Sequence, residues 1–234
     1  MEAFLTNKFE DFYDKGKVHD YHKKAFDSVF LGDMEHVTRE HVMEHPNYDI
    51  WVTGHSLGGA LASLAAEYIV LKGIQKSNKV VLYTYGQPRV GTRQFSEEHD
   101  RLVPHSYRIT HSDDIVVDEP KNTPSHPGGD PSSTGLFLPQ EPNTEEKFFY
   151  HHQHEIHYKD GMGEGAEYIE CVGQEDPNCV HGTSTTNIFD SISAHQYYFE
   201  TEVGDWGHNG CRAPVQKPSD TPKLQLDRVM HTFH

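Results

Sequence analysis

Ile50-Trp51-Val52-Thr53-Gly54-His55-Ser56-Leu57-Gly58-Gly59, with the alanine-rich run from Ala60 to Lys72 behind it, decides how the rest of the chain is read. Residues 50–52 form a short apolar strand. Residues 54–59 form a glycine-rich tight turn, and the strong helix formers that follow are stopped by Gly73. Strand, sharp turn and helix around a Gly-x-Ser-x-Gly string are the setting of a nucleophile elbow. Such a turn lifts the Ser56 hydroxyl above the strand ends. It also sets the Leu57 N–H at a helix N-terminus, where it can donate to a developing oxyanion. Gly54 and Gly58 are expected to be glycine because side chains there would strike the neighbouring strand and helix. In another setting the same serine would be no more than a helix N-cap.

Upstream, the apolar residues Tyr21, Ala25, Phe26, Val29, Phe30, Met34, Val37 and Met43 fall mostly three or four apart, which predicts one amphipathic helix from Asp20 to about His45. His45-Pro46-Asn47 ends it. Downstream, 79–85 reads as a strand bounded by Gly86, 92–102 as a helix and 106–110 as another strand. This alternation predicts a parallel sheet covered on both faces, an α/β fold. The proline-rich text from Pro120 to Asn143 reads as a long surface excursion, since β-like text resumes at 148–158 and 166–171. One domain is expected over residues 1–211, with a loosely held tail over 212–234.

A serine hydroxyl needs a histidine base, and that histidine needs a carboxylate to orient it. In a strand–elbow–helix topology the chain order is Ser, then Asp or Glu, then His. Asp113, Asp114 and Asp118 follow the strand at 106–110 and are equal candidates by spacing. The base could be any of 19 histidines.

The runs TGHSLGGALASLAA, YTYGQPRVG, YRITHSDDIV and AHQYYF, in that order, resemble the class 3 (fungal-type) triacylglycerol lipase family of α/β-hydrolases, and within it the nematode-like branch. The resemblance spans about Gly16 to Cys211. It implies an α/β-hydrolase fold, hydrolysis of acylglycerol or other lipid esters without a cofactor, transient contact with a lipid interface, and secretion. It puts the nucleophile on Ser56, the aspartate on Asp114 and the histidine on His195, and it makes Gly86–Gly91 a tight post-strand turn with no chemical role. Family members carry roughly a hundred more residues before the elbow, with strands, a lid and a second oxyanion donor; none is assignable among the 55 residues before Ser56. The alternative expectation is therefore a shortened, catalytically impaired remnant with a binding role.

The formal charge of −16, from 20 Lys+Arg against 36 Asp+Glu, repels phosphate backbones, so nucleic-acid binding is not expected. No apolar run approaches a membrane span, and the acidic N-terminus does not read as a signal peptide. Cys171 and Cys179 bracket a turn-forming Asp-Pro-Asn and are spaced to close a small disulfide loop, which leaves Cys211 over, either as a buried thiol or with a partner in sequence this chain lacks. His151-His152-Gln153-His154-Glu155-Ile156-His157 has two or three imidazoles that could hold Zn²⁺ or Cu²⁺ from a strand, but it reads as a histidine-rich, solvent-facing hairpin, with no metal site expected because acidic or cysteine ligands are not placed nearby. Nineteen histidines imply a net charge that climbs steeply below about pH 6.5.

Overall fold

The computed structural model describes residues 8–111, 114–120, 148–176, 178–179 and 188–212. Its centre is a five-stranded sheet in the order β3(Ile50–His55), β4(Val80–Tyr85), β5(His105–His111), β6(Glu155–Tyr158), β7(Ile169–Cys171). Strands β3 to β6 run parallel, with Ile50 opposite Val80, Val81 opposite His105 and Arg108 opposite Glu155. β7 is antiparallel to β6, so the parallel expectation holds for four strands of the five. The strand predicted over 148–158 shrinks to 155–158 because His154 takes a positive φ of 59°, which no continuing strand allows.

Two helices replace the single one expected over 20–45: α1(Asp20–Val29) and α2(Asp33–Glu44). Gly32 sits between them as the α2 N-cap, and Met34, Val37 and Met43 stay exposed instead of joining a stripe. A small hairpin not anticipated from the sequence, β1(Phe9–Asp11) and β2(Lys17–His19), precedes α1. It docks through His19 N–H to the Val90 carbonyl and Thr92 N–H to the Lys17 carbonyl, and it delivers Phe12 and Val18 to the core.

α3(Leu57–Leu71) lies against β3 and β4 and has ten buried residues, which is why its text is apolar all round. Phe12, Phe26, Leu64, Leu82 and Phe95 meet in one core between the sheet, α1 and α4(Arg93–Leu102). On the other face a smaller cluster of Ile109, Ile156, Tyr158, Met162 and Tyr198 has Phe199 and Val203 packed against it, from the segment that forms α5(Ile188–Gln196), β8(Tyr197–Tyr198), β9(Thr201–Glu202) and α6(Val203–His208). This second face is not covered throughout: Trp51 on β3 is 52% exposed. α6 falls in text that carries no helical pattern. The excursion beyond Pro120, and the tail beyond Arg212, lie outside the described residues. No described helix is long and apolar enough to cross a membrane.

The His151–His157 segment is not solvent-facing. His151, His152, Glu155 and His157 are all buried. The reason is Arg108, buried on β5, whose guanidinium donates to the His152 carbonyl at 2.9 Å and to Glu155 Oε2 at 3.0 Å. Burial of that cation pulls its partners in with it. Thr110 donates to Glu155 Oε1 at 2.7 Å, and His152 bonds Ser106 and Gln87 through its two ring nitrogens. Burial, reinforced by Arg108, pushes the pKa of His151 well below the ordinary imidazole range; burial, with His99 and Arg108 nearby, does the same to His152. The expected climb in charge below pH 6.5 is therefore smaller than 19 histidines imply. Among the described residues no group of three His, Cys, Asp or Glu is arranged to hold a metal.

Candidate active site

Ser56 sits between β3 and α3 at φ 57°, ψ −129°, a left-handed conformation costly for any residue with a Cβ. The turn that imposes it needs Gly54: a Cβ there would come within 2.1 Å of the Gly58 carbonyl oxygen. Gly58 itself faces open space, contrary to expectation. The crowding on the helix side falls one residue later, at Gly59, whose Cβ would meet the Gln87 Cβ at 3.1 Å. Leu57 begins α3, so its N–H lies at the positive end of a 15-residue helix.

His195, near the C-terminal end of α5, brings Nε2 to 2.7 Å from Ser56 Oγ. Its Nδ1 lies 3.0 and 2.9 Å from the two carboxylate oxygens of Asp114. Because a carboxylate can only accept, Nδ1 carries the proton and Nε2 is left to accept from the serine hydroxyl. Asp114 is 1% exposed and His195 14%, so the carboxylate is shielded while the imidazole keeps a little contact with the surface. Asp114 is held by two further donors, the Val116 N–H at 2.9 Å and the Tyr198 hydroxyl at 2.8 Å. Burial, and then the facing Asp114 carboxylate, push the Tyr198 phenol well above its ordinary range, so it remains a donor. Of the rival carboxylates, Asp118 lines a small cavity with Arg89 and Glu175, and its backbone carbonyl accepts from Arg89 Nη1; Asp113 lies outside the described residues.

Three residues of this site escaped sequence reasoning. Gly86, assigned only a turn, has φ 56°, and a Cβ on it would stand 2.8 Å from Asp114 Oδ2, 2.9 Å from the Tyr198 hydroxyl and 3.1 Å from His195 Nδ1. The site is built in the space that glycine leaves. Tyr198 entered only as part of the AHQYYF run, with no role assigned to it. His55, the variable position of the elbow motif, stacks on His195 at 4.7 Å between ring centroids. Burial, and next the neighbouring His195, lower the His55 pKa.

Cys171 and Cys179 form a disulfide with Cα atoms 6.2 Å apart, while Cys211 is a free, exposed thiol. A cleft of about 610 Å³ opens beside Tyr197 and Phe199, rimmed by Asp160, Glu164, Glu167 and Glu200.

The family model described as Lipase (class 3) matches residues 2–123, just over half of the chain. The chain belongs to the class 3 lipase family. Similarity to Lipase ZK262.3 of Caenorhabditis elegans is 35% identity over 218 residues, covering 90% of this chain and 60% of that one. Secreted mono- and diacylglycerol lipase 1 of Fusarium solani is 44% identical over 72 residues, 31% of this chain and 20% of its own length. Among solved structures, lipase II from Rhizopus niveus superposes with a TM-score of 0.66 at 25% identity, over 86% of this chain and 67% of that one. This class 3 lipase chain thus spans about 60% of the length of its nematode relative, and its sheet with flanking helices is the α/β-hydrolase fold.

Proposed function

We propose that this chain is a serine hydrolase of carboxylic esters acting on acylglycerols, triacylglycerols foremost, with Ser56 as nucleophile, His195 as general base and acid, and Asp114 as orienting carboxylate. The observation that carries the reading is the unbroken relay from Ser56 Oγ through His195 to Asp114, at 2.7 and 2.9 Å. In the reaction Ser56 Oγ attacks the ester carbonyl carbon as its proton passes to His195 Nε2. The Leu57 N–H receives the negative charge that forms on the carbonyl oxygen. Collapse expels the alcohol with the proton from His195 and leaves an acyl-serine, which water opens by the same two proton transfers. Asp114 stays ionised throughout and stabilises the imidazolium. No cofactor is required.

The acylglycerol substrate class rests on the relatives' names and on the family. Secretion is supported by the Fusarium relative and by the Cys171–Cys179 bond, which suits an oxidising compartment. Contact with a lipid surface follows from the substrate. A site that relies on Leu57 alone for the oxyanion would turn over about a hundredfold to a thousandfold more slowly than one with a second donor.

The test is a fluorophosphonate probe together with a chromogenic short-chain ester. Labelling at Ser56, with turnover abolished in Ser56→Ala, is the expected outcome. A well-folded sample that neither labels nor turns over would instead fit the binding remnant.

A further inference from the structure

The last carbonyls of a helix have no partner within it. In α5 two of them are met by histidines. His55 Nε2 lies 2.9 Å from the His195 carbonyl oxygen, and His111 Nδ1 lies 3.4 Å from that of Ala194. Since a carbonyl only accepts, each of these nitrogens carries its proton and donates. The two donors are the final residues of β3 and β5, the strands on either side of β4. They reach across 140 and 83 residues of sequence to a single helix end. Between them stands Tyr198, edge-on to the His55 ring at 5.4 Å and to the His111 ring at 5.9 Å, with its hydroxyl on Asp114.

We propose that His55 and His111 are positioning residues that clamp the C-terminal carbonyls of α5 to the ends of β3 and β5, and so set the distance of the His195 imidazole from Ser56 and Asp114. His55 has the larger share: its bond is the shorter, it precedes Ser56 directly, and its ring backs the His195 ring at 4.7 Å. The clamp ties the strand that carries the nucleophile to the helix that carries the base. Without it, the placement of His195 falls to the side-chain bonds of the relay and to ring packing on His55, which Tyr198 meets edge-on, and a misplacement of about 1 Å costs up to a hundredfold in rate.

This inference rests on the proposed triad, and the experiment separates the two. In the full chain, His55→Gln keeps an N–H at about the reach of Nε2, His55→Asn keeps the same amide one bond short, and His55→Phe keeps a ring without a donor. With kcat and KM measured on a soluble short-chain ester and melting followed alongside, His55→Asn and His55→Phe should lose about tenfold to a hundredfold in kcat with KM within about twofold. His55→Gln should retain at least about a third of wild-type kcat, and His111→Leu should lose less than His55→Phe. Equal kcat in the Gln and Asn variants, or wild-type kcat in His55→Asn, overturns the clamp even while Ser56→Ala confirms the nucleophile. Should His55→Phe fail to fold, the Gln–Asn pair still decides. Turnover that survives Ser56→Ala overturns the triad, and the clamp with it.

Discussion

The Ser56 side and the His195 side of this site, the proposed nucleophile and base, are built on opposite plans. Ser56 is held by its own neighbourhood: β3, the turn and α3 are contiguous in sequence, and the positive φ is enforced by backbone approach at Gly54. His195 is held by strangers, with Asp114 81 residues away, Ser56 139 away and His55 140 away. A local device fails when the backbone cannot bend. A long-range one fails by degrees, as each side-chain contact is lost.

That contrast sets the order of effects. Ser56→Ala should remove about 10⁴-fold or more of kcat with little change in melting, since the hydroxyl makes no packing contact the fold needs. Gly54→Ala should be as severe for activity but should also destabilise the chain, by about 3 kcal/mol or more, because its Cβ meets backbone that cannot turn aside; a urea titration separates the two variants. On the base side, Asp114→Asn should cost about 10⁴-fold, as the wrong His195 tautomer becomes available. Gly86→Ala comes next, with about a hundredfold loss, because three side-chain atoms of the relay must retreat. Tyr198→Phe should cost only about tenfold, one of several bonds to an ionised group. A Tyr198→Phe enzyme as inactive as Asp114→Asn would contradict the graded plan.

The smallest expected effect on the site, though a measurable one on the fold, is with pH. Burial, and then His19, lower the His22 pKa to about 3, and His151 and His152 are also pushed well down. A folded-state pKa depressed below the unfolded value of about 6.5 gives stability that is present above that pH and lost as pH falls. Each such histidine takes up one more proton on unfolding than on staying folded below about pH 6.5, so each steepens the loss of stability as pH falls. Denaturant titrations at pH 7.5, 6 and 5 should show the decline, and His22→Phe should flatten it by one proton.

The two plans also explain what was legible beforehand. The elbow could be read because its strand, turn glycines and helix formers are consecutive residues whose preferences agree. The strands at 80–85 and 105–111 and the helix at 93–102 were legible for the same reason. The break between α1 and α2 was hidden because Gly32 interrupts a pattern that apolar spacing alone carries straight through. The His151–His157 segment was misread because its alternation presumes an unbroken strand, and a single positive φ at His154 with a buried Arg108 turned it inward. Asp114 and His195 were singled out by family resemblance, not by spacing.

By itself the sequence determined the strand–turn–helix cradle around Ser56 and the α/β alternation, because each depends on the conformational preferences of residues a few positions apart. Only the tertiary structure showed how closely Asp114 and His195, which the resemblance named, stand to Ser56, why Gly86 must be bare, and that His55 and Tyr198 belong to the site. Those are distances between elements that meet only when the sheet assembles, and no local preference encodes them.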